Sequence, residues 1–429
     1  MVDAPEGTRN ISTHELVIPS GRNALNYLSI YANNGGPFFP SEKDLKVRSL
    51  LKEKLQNADS VVIQLGGALG DTVIQSAYMN GVLASLDSVH RSNVPVTLLI
   101  DDDKKALFEG YVSDRIKVVG TTLRKSPEDQ LQEVAKYTSH ASLYVDLSSR
   151  SSILGNNFDI AKERAFMTDG KISGKDITCV GNLYMPGQTG YARLGIDRRY
   201  GDFVKEIFGV DKLIFPSERA RVFLPKSPDY EKIKKGWESQ LNTDSQTMQI
   251  AVIVESAFSD KQYGASNWAE AIKQLAATVG YEKPDQKVAV NVIFNGKSQS
   301  KGFEKASLHH AFFDVLRDTG VVGRINYVSD SVKNLSVLLN TQNVVLSNDT
   351  GLAHIAAATP DGPPVVVLYK ESRFPSTYWR SSNKQVAIPS SHYWAGDPYD
   401  SSNKEINKID PLKVAEIAWE RMKLHQKAA

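Results

Sequence analysis

From Ser60 onward, short apolar runs alternate with amphipathic stretches. Ser60–Leu65 (SVVIQL) has the length of a core strand. The Gly-rich turn Gly66–Gly70 follows, and then Val73, Ile74, Ala77, Tyr78 and Val82 recur at helical spacing. The same reading predicts strands at Val96–Ile100, Ile116–Val119 and Ser142–Leu147, with a helix over Pro127–Ser139. A second series predicts strands at Gln249–Glu255, Lys287–Phe294, Ile325–Val328, Val344–Ser347 and Val365–Leu368. Helices fall between them near Asn267–Val279, Phe303–Arg317, Val332–Asn340 and Gly351–Ala358, and a last one covers Pro411–His425. Near-continuous apolar strands alternating with helices imply parallel sheets covered on both faces.

Between the two series the alternation dissolves. Arg150–Asn157 and Gly187–Gly201 are rich in Ser, Gly and Asn and read as long binding loops. Phe215–Asp229 carries three prolines and mixed charge and reads as a linker. In front of Ser60 the chain lacks sustained period except for a polar helix over Ser41–Gln56 with Ser41 as cap. The expected organisation is an extension over 1–59, Rossmann-like domains over 60–225 and 226–409, and a C-terminal helix over 410–429. Such a pair of domains faces a cleft, and open parallel sheets bind ligands beyond the carboxyl ends of their strands.

The 429 residues suit two or three domains. Lys and Arg number 51 against 49 Asp and Glu, which excludes the basic footprint of a nucleic-acid binder. Cys179 is the single cysteine, so no intramolecular disulfide or multi-thiolate metal site can form, and a reducing, cytoplasmic setting is expected. No secretory signal and no membrane-spanning run is read from the sequence, although peripheral contact with the inner membrane is compatible with it.

Three post-strand loops carry candidate chemistry. In Leu65-Gly66-Gly67-Ala68-Leu69-Gly70-Asp71-Thr72, Asp71 is placed where a strand passes into a helix, and taken alone it reads as a helix N-cap. The spacing is not that of a dinucleotide fingerprint. In Ser347-Asn348-Asp349-Thr350-Gly351-Leu352-Ala353-His354, a strand turns into an Ala-rich helix whose first N–H groups suit a phosphate. Gly351 admits a ligand close to the backbone, and Thr350 and His354 stand one turn apart; a cap at Asp349 and a core histidine are the structural alternatives. Lys261, after the strand Gln249–Glu255, can neutralise a diphosphate or else be a solvated lysine. Asp101-Asp102-Asp103 contains a D-x-D pattern, but its place between a strand and a basic turn is explained by acidic capping. Asp146 and Arg150, at the end of the strand LYVD, are further ligand candidates.

The order of these segments resembles glycosyltransferase family 9, the ADP-heptose:lipopolysaccharide heptosyltransferases, which have the GT-B architecture. The resemblance rests on VVIQLGGALGDTVIQSA, on ASLYVDL, on the loop with Lys261, and most specifically on Asn348–Ala358 followed by Pro364–Leu368. It implies an α/β fold with two Rossmann-like domains, Asp71 as catalytic base, Lys261 as the phosphate-binding lysine, and Asp349, Thr350, Gly351 and His354 as the donor-binding cluster. The implied reaction is an inverting, metal-independent transfer from a nucleotide diphosphate sugar, with ADP-heptose as donor, and no resident cofactor. The acceptor is either a glycan such as a lipopolysaccharide core, for which Arg164, Arg193, Arg198 and Arg199 are candidate contacts, or a small hydroxylated natural product. A non-catalytic nucleotide-sugar-binding protein and a GT-B nucleotide-sugar epimerase are the rival readings. Two departures stand out: the 59 residues before Ser60, and Leu368-Tyr369-Lys370-Glu371-Ser372-Arg373-Phe374-Pro375 where the family continues with a Gly-x-Thr-x-Pro-like loop. A branch that holds iron through several cysteines is disfavoured by the single Cys179.

Overall fold

The structure, a computed structural model, describes residues 53–88, 91–121, 135–137, 142–146, 166–172, 175–181, 229–241, 246–256, 261–294, 305–359, 362–369, 385–389 and 406–428. The chain divides between Arg221 and Val222 into two compact units. Of the expected helices, Ser41–Gln56 is described only where a helical turn spans 53–57, and Pro127–Ser139 only at 135–137. Arg150, Arg164, Arg193, Arg198, Arg199 and the loop after Tyr369 lie outside the described residues.

The first unit is built on a sheet of order β3-β2-β1-β4-β6-β5. Its strands are β1 (Ser60–Gln64), β2 (Val96–Asp101), β3 (Ile116–Thr121), β4 (Ser142–Asp146), β5 (Phe166–Ile172) and β6 (Lys175–Gly181). The helix α1 (Leu69–Ser88) carries the chain from β1 to its parallel neighbour β2. A parallel pair needs such a crossover, because the second strand starts at the far edge from where the first ends. Val61, Val62, Ile63 and Gln64 are all buried, which fits a central strand sandwiched on both faces.

The sheet departs from the expected all-parallel form at one edge. β5 pairs antiparallel with β6, from Phe166 opposite Gly181 to Ile172 opposite Lys175, while β6 itself runs parallel to β4. These residues fall in the stretch read as irregular. Ile177, Thr178, Cys179 and Val180 carry β-propensity, but the surrounding Gly, Ser and Asn diluted the period on which the reading relied.

The second unit is fully parallel, in the order β12-β11-β10-β7-β8-β9. Here α2 (Tyr230–Leu241) leads into β7 (Thr247–Ile253), α3 (Ala265–Glu282), β8 (Lys287–Ile293), α4 (Lys305–Leu316), β9 (Val322–Val328), α5 (Val332–Asn340), β10 (Val344–Asn348), α6 (Gly351–Ala358), β11 (Val365–Tyr369), β12 (Gln385–Pro389) and α7 (Pro411–Ala428). Met248, Ile250, Val252, Val288, Val290, Val292, Val344 and Leu346 point to one face and join a core with α3, α4 and α7. Trp268, Ala269, Ile272, Leu275, Ala276 and Val279 supply the α3 side at helical spacing.

The alternate positions carry a polar ladder. The Asn291 amide donates to Gln249 Oε1 at 3.1 Å and to Gln342 Oε1 at 2.7 Å, and Asn326 donates to Asn291 Oδ1 at 2.8 Å. Buried amides are tolerated because they bond each other; a one-residue slip would leave them unpaired.

At the head of α3, Trp268 is fully buried and meets the Tyr263 ring edge-on at 4.9 Å. Among the described residues no helix is long and apolar enough to cross a membrane. Truncating Trp268→Ala should destabilise the second unit by about 3–5 kcal/mol, read from its urea unfolding transition. A loss below about 1 kcal/mol would show that this corner is not a packed core.

Candidate functional site

The chain leaves the fully buried strand β10 at Asn348 and enters α6 at Gly351. Thr350, extended at φ −136° and ψ 162°, is the N-cap: its Oγ1 accepts from the Ala353 N–H at 3.4 Å. The alternative that Asp349 caps this helix is therefore corrected. A cap bonds the second or third helical N–H, and Thr350, directly before the helix, is the residue in register. Gly351 is half-buried at the first helical position.

Freed from capping, the Asp349 carboxylate faces two partners. Its Oδ2 forms an ion pair with the Lys261 ammonium, and its Oδ1 lies 3.6 Å from His354 Nε2. Side-chain exposures are 4% for Asp349, 5% for His354 and 11% for Lys261, so Lys261 is no solvated surface lysine. Burial alone would push the Asp349 carboxyl upward. The hydrogen-bonding imidazole and the two facing charges outweigh burial and hold it below the usual carboxylate range.

The residues around this group were not given roles by the sequence reading. Asn348 is fully buried at the end of β10; its amide donates to the Val254 carbonyl at 2.9 Å, and its Oδ1 accepts from the Tyr263 N–H at 3.1 Å. That ties β10 to the chain on both sides of the segment 257–260. The Ser256 hydroxyl reaches the Asp349 carbonyl at 3.4 Å, and Gln262 donates to the Ser256 carbonyl at 3.1 Å. Tyr263 donates through its hydroxyl to the Ile409 carbonyl at 2.6 Å, and burial together with Asp410 pushes its phenol upward. Gly264 then takes φ +88°, a conformation that favours glycine, and α3 begins. The signal for Asn348 was its residue type: a buried amide at a strand end can bond neighbouring backbone on two sides.

In the first unit, the last ladder bond at the end of β1 is Leu65 N–H to the Leu99 carbonyl at 2.9 Å. Gln75 of α1 takes over from there. Its Oε1 accepts from the Gly66 N–H at 2.9 Å and its Nε2 donates to the Gly66 carbonyl at 2.8 Å. Gly67 adopts φ +114°, and the Thr72 N–H and hydroxyl both donate to the Ala68 carbonyl, at 3.0 and 3.2 Å. Asp71 is the third residue of α1, not its N-cap, because the helix begins two residues earlier, at Leu69. Asp71 and Asp146 are described through their backbones: Asp71 stands in the first turn of α1, and Asp146 ends β4 opposite Gln64 of β1.

In the D-x-D segment, Asp101 Oδ2 pairs with Lys104 Nζ at 2.6 Å, both nearly buried, and Asp103 Oδ1 lies 3.2 Å from the same ammonium. This is the acidic segment beside a basic turn. Among the described residues no group of three His, Cys, Asp or Glu side chains could hold a metal ion.

The sequence motifs thus fall at the carboxyl ends of strands in two doubly wound sheets. Lys261, Asp349, Thr350, Gly351 and His354 come together in the second unit, and Asp71 stands in the first. This architecture is that of the GT-B fold. Residues 222–408 match the model of glycosyltransferase family 9 (heptosyltransferase). Among solved structures, the chain is similar to a glycosyltransferase of family 9 from Veillonella parvula at 15% identity and a TM-score of 0.58, over 85% of this chain and 97% of that one. It is likewise similar to ADP-heptose LPS heptosyltransferase II of E. coli at 15% identity and a TM-score of 0.51, over 86% of this chain and all of that one. A search of curated protein sequences returns no match. Residues 222–408 thus match a family 9 glycosyltransferase domain, and the chain shares its fold with the two structures named.

The depressed Asp349 carboxyl links the site to acid stability. Unfolding restores its ordinary value of about 3.9, so the unfolded chain binds the proton more readily and the contribution, present above that pH, is lost as pH falls through the lower folded value. Asp349→Asn should lower stability at pH 7 and flatten the acid limb of a stability–pH curve. Parallel acid limbs in the two proteins would contradict the pairing.

Proposed function

We propose that this chain is a glycosyltransferase of family 9, inverting and metal-independent, that transfers a heptose from an ADP-linked donor to an acceptor hydroxyl. The observation that carries the reading is the buried Lys261–Asp349–His354 group beside the first turn of α6, inside the segment that matches the family model. Lys261 and the N–H groups at the start of α6 supply positive potential where a diphosphate would carry its charge. In this reading Asp71 takes the proton of the acceptor hydroxyl. The oxygen forms its bond to the anomeric carbon from the face opposite the diphosphate, and the carbon–oxygen bond to the diphosphate breaks with its electron pair left on phosphate oxygen. Lys261 and the helix start neutralise that leaving charge, so a divalent ion is not needed.

Asp349 has a distinct part in this scheme. It keeps Lys261 from the extended, solvated conformations that a long side chain prefers, and it shares the one ammonium with the incoming diphosphate. The acceptor in this reading is a glycan such as a lipopolysaccharide core, or a small hydroxylated natural product. The absence of paired cysteines supports a cytoplasmic location, with at most peripheral membrane contact.

Transfer measured with ADP-heptose should fall roughly 100- to 10,000-fold in Asp71→Asn, with ADP affinity unchanged, since the amide cannot take the proton. EDTA should leave the wild-type rate unaltered. Full activity in Asp71→Asn would remove it as base, and loss of activity with EDTA would remove metal independence. In a thermal-shift panel of ADP-, UDP-, GDP- and dTDP-sugars, the ADP-sugar should give the largest rise in melting temperature. Tight donor binding without turnover over a broad acceptor set would instead make the chain a non-catalytic donor-binding protein.

A further inference from the structure

We propose that Gln75 is a positioning residue for the catalytic loop, its amide fixing the turn from which Asp71 is presented; this rests on the reading of Asp71 as base. The β1–β2 ladder ends at Leu65, and Gly66 is buried with a backbone N–H and C=O that no strand takes up among the described residues. One side chain satisfies both, at 2.9 and 2.8 Å. Only a carboxamide offers an acceptor and a donor at this spacing; a carboxylate lacks the donor, and an apolar side chain lacks both. Gln75 is itself fully buried, so water cannot replace it.

The placement ties this bond pair to Asp71. Gln75 follows Asp71 by four residues, one turn along α1, and Thr72 follows it directly. Both neighbours bond backward into the loop: Gln75 to Gly66, and Thr72 to the Ala68 carbonyl through its N–H and its hydroxyl. The loop is thereby closed at its first and third residues onto the helix turn that carries Asp71, with Gly67 at φ +114° between them. From beneath, Tyr144 of β4 donates to Gln64 Oε1 at 2.7 Å and fixes the last residue of β1. A base must stay within hydrogen-bond reach of its acceptor, so loosening this closure should slow proton removal without touching the donor group on the other unit.

The test uses the full chain with Gln75→Glu and Gln75→Met. Hydrogen exchange followed by mass spectrometry should show the amides of residues 66–72 exchanging at least tenfold faster than in wild type, with those of β2 and β3 unchanged. With ADP-heptose, kcat should fall at least tenfold while KM for the donor stays within twofold. A folded variant with wild-type exchange in this segment, or with kcat within twofold of wild type, overturns the proposal. Should neither variant fold, the wild-type chain decides: the Gly66 amide is expected to exchange as slowly as those of β1, and exchange at the rate of an open loop refutes the bonding. If Asp71→Asn keeps full activity, the base assignment fails on its own, and the exchange measurement still decides the role of Gln75.

Discussion

A carboxylate taken almost wholly out of water must find compensating partners, and Asp349 finds them on two different elements. Lys261 comes from the loop after β7, 88 residues earlier in the chain, and His354 from the first turns of α6. Adjacent parallel strands put their carboxyl ends at the same edge of the sheet, and β10 lies beside β7. The single side chain at the end of β10 therefore sets the loop after β7 and the helix start together. Removing one partner of such a group typically costs about 3–5 kcal/mol, because the remaining charge stays buried and uncompensated. In the proposed reading the same geometry would serve binding, because a lysine held by a carboxylate is oriented before any anion arrives.

The first unit solves an equivalent problem with neutral groups. Its post-strand loop also leaves the sheet at a carboxyl end and enters a helix, but the backbone there is held by the Gln75 amide and by Thr72 rather than by an ion pair. The contrast follows the chemistry proposed for each side. A base that must accept a proton near neutral pH is better served by uncharged supports, since a nearby ammonium would lower its proton affinity. A site for a diphosphate gains from positive charge close by. The buried Lys104 answers Asp101 in the same unit, at the end of the neighbouring strand β2.

Much of this was legible in the amino-acid order. Strands such as VVIQ and VVLS are buried at every position because both of their faces are covered, and α6 was read with its true bounds because a Thr-Gly start precedes an Ala-rich run. Of the residues that the family resemblance grouped at the second site, Lys261, Asp349 and His354 do lie together. What escaped was non-local or lay at a boundary. The antiparallel β5–β6 edge was hidden by its Gly- and Ser-rich surroundings. Asp71 and Asp349 were each allowed a capping role that helix starts at Leu69 and Gly351 exclude. A lysine is exposed by default, so nothing local announced that Lys261 is buried against Asp349. A glutamine inside a helix likewise gives no hint that its amide closes a loop nine residues back.

The account turns on the Lys261 group being the diphosphate site, and calorimetric titration with ADP tests that most directly. Wild type and Asp71→Asn should bind ADP with the same affinity, and Lys261→Met should bind it at least tenfold more weakly. Equal affinity in Lys261→Met and wild type would contradict the account.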